Sequence, residues 1–481
     1  MLLNNPSSEN ARRGSRARNP LLMFLFSVVL ALFGLDLARA AAGQQSGTSR
    51  HHEPTVNKAS PWKIDLSARQ QKLDAAKQSR DPVAIADASR PVIASALHEI
   101  GRLKLIEGAT PEAIENYRRS LDFEDSPDTR IDLAAAYKGT EATLAQRRSA
   151  RAQATELGKT VAGALNDLGA SEARQQKFGL ALAHFHEAER WRADTPGLMR
   201  NIGMAAVRVS DYHEAVRTLR PVVAANPHDR VARSLLGTSL FSIQNFAEAV
   251  QVFTPLGDSV LQEPELAYAW ADSLINTTQF PQATALLDKL EKQTLPAETL
   301  VLIAQAWSQM GNYPRAVESS HRALQLDPKL AQARFIAGMA QIHAGHPADA
   351  VSEFRSELEL DPENNDAQYH LAFALLQLSR NDEAVELLRA VLNRDPNHAQ
   401  ANYELGRELL NEGKKEEAIP FLEAAARVNP QLDAVHYQLQ SAYRAVGRRD
   451  DADRELKIYR EMKAKNRNVK MASPMGESER E

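Results

Sequence analysis

The chain has no cysteine among its 481 residues. That excludes disulfides, thiolate nucleophiles, cysteine-ligated zinc and lipid attachment through sulfur. Aromatic residues are sparse at 6%, so core positions fall to Ala and Leu, which suits helices packed close together. A strong excess of one charge is also lacking: the formal net charge of −4 leaves no basic footprint for nucleic acid. No phosphate-binding glycine loop and no nucleophile elbow occurs. The apolar (43%) and charged (25%) fractions are those of a folded chain.

The long apolar run lies near the start. Arg12, Arg13, Arg16 and Arg18 precede Leu21–Leu35, and Ala38-Arg39-Ala40 comes after it. A basic segment, an apolar segment and a small-x-small site predict a secretory signal over 1–40, cleaved after Ala40. The run is short against the roughly 20 residues of a spanning helix; retained, it would be an N-terminal membrane anchor. In either case the remainder is expected to be exported, to the periplasm or beyond. Residues 41–93 read as a disordered linker with a short polar helix from Ile64 to Ser79, anchored by Leu66 and Leu73. Pro82 and Pro91 punctuate the last part of this linker.

Asp327-Pro328, Asp361-Pro362, Asp395-Pro396 and Asn429-Pro430 recur every 34 residues, the mark of a stacked repeat array. With the closing Pro at position 32, units begin near Ala94, Asp128, Ala162, Pro196, Arg230, Pro264, Ala297, Ala331, Asn365, Ala399 and Asp433. The array thus covers about 94–463 in about eleven units, the sixth one residue short. Each unit splits into two helical patterns. In the tenth, Asn402, Leu405, Gly406 and Leu409 share one face of a first helix, and Ala418, Leu422 and Ala425 one face of a second. Gly101, Gly169, Gly203, Gly237, Gly338 and Gly406 fall at position 8. Glycine there costs roughly 1 kcal/mol against alanine, so its recurrence predicts close helix–helix approach.

These units resemble the tetratricopeptide repeat (TPR) family. Leu168-Gly169, Phe178, Ala181, Phe185 and Ala188 match its pattern in the third unit, and Leu236-Gly237, Phe246, Ala249 and Phe253 in the fifth. Trp307, Gly311, Tyr313, Ala316, Ala323 and Pro328 match in the seventh. The resemblance implies an all-α fold, a right-handed superhelical solenoid of helix-turn-helix repeats whose concave groove is lined by first helices. The second unit, Ile131 to Lys159, loses the second-helix pattern, and Glu357 stands where the family has a small residue. Arg448 to Lys463 reads as the polar closing helix that a terminal repeat needs, and 464–481 as a disordered tail.

Positions 5 and 9 of the first helix should face the groove. In the last four units they place Phe335, Tyr369, Phe373, Tyr403, Arg407 and Tyr437 there. Aromatic residues and Arg dominate binding hot spots, so this stripe is the candidate partner-binding surface, although the same residues could serve as packing between repeats. The family's basic and amide clamp for chaperone tails is not carried by any three consecutive units, and of an asparagine ladder only Asn201 fits. His184 and His186, two apart on a helix, project differently and are not expected to share a metal. No catalytic, cofactor or metal site is expected. The chain reads as a non-catalytic, exported scaffold or adaptor binding a protein or peptide in its groove, with no nucleic-acid partner. An accessory or carbohydrate-binding subunit of a cell-envelope enzyme complex is the alternative.

Overall fold

The structure, a computed structural model, describes residues 61–137 and 142–472. The expected signal over 1–40 lies outside them, as does part of the linker. All regular structure among the described residues is helical, and the chain forms two compact units, Met1–Leu286 and Leu287–Glu481. The first contains α1 (Pro61–Ser79), α2 (Pro82–Glu107), α3 (Thr110–Phe123), α4 (Pro127–Ala136), α5 (Leu144–Arg174), α6 (Phe178–Trp191), α7 (Leu198–Arg208), α8 (Tyr212–Ala225), α9 (Arg230–Ser242), α10 (Phe246–Phe253) and α11 (Pro264–Asn276). The boundary falls within α12 (Phe280–Leu290). The second unit continues with α13 (Ala297–Gln309), α14 (Tyr313–Leu326), α15 (Ala331–Ala344), α16 (Pro347–Leu360), α17 (Asn365–Gln377), α18 (Asn381–Arg394), α19 (Ala399–Asn411), α20 (Lys415–Val428), α21 (Asp433–Ala445) and α22 (Arg449–Ala472).

Three recurring contacts explain why a 34-residue period yields helix pairs. At position 8 the glycine lets the second helix approach. A Cβ on Gly169 would lie 2.7 Å from Phe185, and one on Gly338 would lie 2.7 Å from Phe354, both at position 24 of the same repeat. At position 15 the chain turns through the left-handed region and ends the first helix. Gly311, Gly345, Gly413 and Gly447 adopt it there, with φ between 77° and 82°, but so do Gln176, Ser210, Gln244, Thr278 and Ser379, between 58° and 63°.

The third contact holds the turn between repeats. Asp327, Asp361, Asp395 and Asn429 accept a backbone N–H two residues on, from Lys329, Glu363, Asn397 and Gln431, at 3.0–3.3 Å. This Asx turn explains why an acid or amide precedes each Pro. The Pro carbonyl is then gripped by the residue six further on. Arg334 donates to Pro328 O (3.1 Å), Gln368 to Pro362 O (2.7 Å) and Asn402 to Pro396 O (2.9 Å), and His436 Nε2 lies 3.0 Å from Pro430 O. The residue type changes at every repeat while the bond persists, which is why the pattern is invisible in the sequence. On the second helices of the repeats an exposed ion pair also recurs at a spacing of 28 residues: Arg220 with Glu248 (2.9 Å), Arg355 with Glu383 (3.0 Å) and Arg389 with Glu417.

Four boundaries differ from expectation. The first repeat does not begin at Ala94. Its first helix, α2, starts at Pro82, N-capped by Asp81, and passes through Pro91, which stands inside the helix and does not break it. The linker therefore ends earlier than residue 93. In the second unit the expected second helix and the first helix of the third are one continuous helix, α5, so no turn separates them at Ala162. Leu66 and Leu73 of α1 are buried against α2 and α5 in a shared core with Leu97, Leu165 and Leu168, which makes this end a helical bundle. In the fifth unit α10 stops after eight residues and a 3-10 helix, Thr254–Gln262, completes it. Pro255 and Gly257, the latter at φ 54° and ψ −146°, prevent α-helix continuing. The closing helix α22 runs to Ala472, past the expected end at Lys463, because nothing between Ala464 and Ala472 is a helix breaker.

Candidate functional site

The stripe residues come from four successive first helices, α15, α17, α19 and α21, and the structure does not treat them alike. Phe335 is half-buried and meets Phe354 edge-on at 5.9 Å and His370 at 5.3 Å. Tyr369 lies against His370 and His398, each at 4.9 Å, and 6.4 Å from Phe373. Phe335, Tyr369 and Tyr403 also pack on the core of the second unit. Their rings therefore carry packing.

Arg407 and Tyr437 are different. The Arg407 guanidinium lies 5.9 Å from the Tyr403 ring and pairs with Glu404 at 2.6 Å. Glu404 is buried, which raises its carboxyl above the usual range, and Arg407 pulls it back. The Tyr369 hydroxyl is pushed up by burial and then by Glu404, with Arg407 opposing. Tyr437 is 52% exposed and lies 5.5 Å from Tyr459 of α22. Among the described residues no ring contact joins it to Tyr403, so the row breaks there.

His370, expected beside the stripe from the sequence, sits within the aromatic row. Two features of this surface were not anticipated: His398 joins the row, and Glu404 fixes Arg407. Glu404 could have been found from its spacing of three to Arg407. Burial holds His370 down at about 4, with His398 and His343 adding to the effect. One repeat earlier, Glu357 is 1% exposed. Burial raises its carboxyl to about 7 against the pull of Arg334, and Asn364 Nδ2 donates to it at 3.4 Å.

Two groupings elsewhere carry the elements of chemistry. His98 Nδ1 lies 2.8 Å from Thr129 Oγ1, and its Nε2 lies 3.0 Å from Asp132, the hydroxyl–imidazole–carboxylate order of a nucleophile relay. His98 and Thr129 are 0% and 1% exposed, so no substrate reaches the hydroxyl, and the group pins α4 to α2. His184 and His186 take separate partners: Glu172 at 2.7 Å for the first, Glu189 and Glu214 at 3.4 and 3.6 Å for the second. His186, Glu189 and Glu214 could converge on a cation. Arg217 occupies both carboxylates, at 3.0 and 2.7 Å, and would have to be displaced.

Stacked helix pairs closed by a position-15 turn and an Asx-Pro turn define a helical repeat protein of the kind that presents surfaces. Family models described as tetratricopeptide repeat match residues 200–254, 301–365, 341–405 and 399–432. These matched residues carry tetratricopeptide repeats. No curated protein matches it. Among solved structures, MamA is 23% identical, with a TM-score of 0.32, over 34% of this chain and 97% of that one. MamA 41-end from Desulfovibrio magneticus RS-1 is 22% identical, with a TM-score of 0.32, over 36% and 96%. YrrB, described as a TPR protein with an unusual peptide-binding site, is 23% identical, with a TM-score of 0.31, over 37% and 91%. Likenesses at these scores carry no weight for function. No helix among the described residues is long and apolar enough to cross a membrane.

Proposed function

We propose that this chain is a non-catalytic, exported scaffold that binds a protein or peptide on the first-helix faces of its last four repeats. The observation that carries the reading is the contrast within the stripe. Phe335, Tyr369 and Tyr403 are held in place by packing, while Tyr437 and the side chain of Arg407, 52% and 34% exposed, remain accessible. Rigid aromatic residues beside an oriented guanidinium are the usual anchors of a protein contact. Export is supported by the basic, apolar and small-residue pattern of residues 12–40.

The test is recovery of partners from the cell-envelope fraction with the full chain, then with Tyr437→Ala and Arg407→Glu. Retention of a specific protein that both substitutions abolish supports the proposal. Retention of glycan without protein would replace it with the carbohydrate-binding reading. A reporter active only outside the cytoplasm, fused at the C-terminus, checks export: loss of its signal on deleting residues 1–40 is the expected result.

A further inference from the structure

Glu357 stands at position 27 of the eighth repeat, in place of the pattern's small residue, and is buried there. Two turns between repeats reach it through side chains. On one side Asn364, the N-cap of α17, donates its Nδ2 to Oε1 at 3.4 Å. On the other lies Arg334 of α15, whose Nη2 donates to Pro328 O at 3.1 Å and so holds the 327–330 turn. Among the described residues neither Glu357 Oε2 nor Arg334 Nε, both buried, has a hydrogen-bond partner. The two side chains form no ion pair, although Arg334 is near enough to act on the carboxyl.

A buried carboxyl oxygen without a donor favours the protonated form. Burial raises Glu357 to about 7 against Arg334, with Asp361 adding to the rise and Asn364 opposing it. Its charge therefore changes near neutrality. The other titratable groups around it have their own places: Glu353, one turn back along α16, is taken by His321 of α14 at 2.8 Å. His370 of α17 stacks on Phe354 at 5.9 Å and, held at about 4, is neutral through this range. Once ionised, Glu357 is a buried carboxylate with an unpaired oxygen, which is costly, and the cation acting on it has a donor to spare. The bond that Arg334 makes now, to a neutral carbonyl at the surface, is the weaker of the two.

We infer that Arg334 and Glu357 form a proton-controlled latch on the turn between the seventh and eighth repeats. With Glu357 neutral the guanidinium holds Pro328 O; with Glu357 ionised it turns onto the carboxylate and frees the turn. Phe335 follows Arg334 in α15, so the turn that is freed is the one leading into the first ring of the stripe. The latch is independent of what the stripe binds.

Trypsin cleavage of the full chain after Lys329, exposed in that turn, tests it. The rate is scored against cleavage after Lys177, exposed in the turn between α5 and α6, so that a change felt by the whole chain cancels. Turns open locally before the chain unfolds, so the ratio should rise at least threefold from about pH 6 to about pH 8.5. Glu357→Gln, which cannot ionise, should keep the low ratio at both values. Arg334→Gln should keep it too: Gln368 makes the same grip on Pro362 O one repeat on, but an uncharged amide is not drawn to the carboxylate. Arg334→Ala, which removes the grip, should show the high ratio at both. A wild-type ratio that ignores pH, a rise that survives in Arg334→Gln, or a low ratio in Arg334→Ala would overturn the latch.

Discussion

Gly237 lies so close to Phe253 that a Cβ added to the glycine would sit 2.3 Å from the ring. The two residues are at positions 8 and 24 of one repeat, and Phe253 is fully buried, so the ring has no room to yield. The backbone of α9 therefore packs directly on an aromatic face of α10.

Gly237→Ala is expected to destabilise the chain by about 1–3 kcal/mol, the usual range for overpacking, despite the better helix propensity of alanine. Gly163, in the interior of α5, meets nothing within 4 Å of a built Cβ. The same substitution there should stabilise by up to about 1 kcal/mol. Chemical denaturation of both variants checks the pair. Equal signs would mean that position 8 is selected for a reason other than contact.

Thr278 adopts a left-handed conformation, φ 60°, at the position where five other repeats use glycine. For an L-residue that conformation costs about 1–2 kcal/mol, and glycine loses part of the gain through its freer unfolded chain. Thr278→Gly should therefore raise stability by up to about 1 kcal/mol. Thr278→Val should give no such gain, since a branched side chain tolerates the conformation no better. Thermal melts of the three proteins decide.

Glu357 and His370 oppose one another in pH dependence. The Glu357 carboxyl is raised to about 7, so its contribution is fully present below the ordinary carboxyl range and is lost as pH rises through 7. His370 is lowered to about 4, so its contribution is present above pH 6.5 and is lost as pH falls towards 4. Glu357→Gln should make the chain more stable than the wild type above pH 7, by on the order of 2–3 kcal/mol for a shift of that size. It should also expose the histidine's slope, stability falling between pH 6.5 and 4. Denaturation midpoints across pH 4–8 measure both. A variant profile parallel to the wild type would show that the carboxyl does not titrate in this window.

Tyr369 and Tyr437 occupy equivalent repeat positions in different surroundings. Tyr369→Ala removes a ring packed on His370, His398 and the core, and should lower stability by about 2–4 kcal/mol. Tyr437→Ala, at a ring more than half exposed, should change stability by less than about 1 kcal/mol and weaken partner binding. Melting temperature and binding measured on the same two proteins separate packing from recognition. A large loss of stability in Tyr437→Ala would remove it from the proposed surface.

The sequence by itself determined the period, the helix pair and the close approach at position 8. A glycine repeated inside a helix, and an Asp-Pro or Asn-Pro step at a constant interval, admit few other physical readings. It also placed Leu66 and Leu73 as the anchors of α1. Tertiary structure alone decided what depends on neighbours distant in sequence or on a bond made by several residue types. The grip on the Pro carbonyl passes from Arg334 to Gln368, Asn402 and His436, so no single letter marks it. The fusion of two expected helices into α5 results from the loss of a turn residue near Ala162 and from packing on α2. The stripe kept its identity but not its uniformity. Six residues at matching positions differ because their packing partners differ, and among them only Tyr437 is more than half exposed.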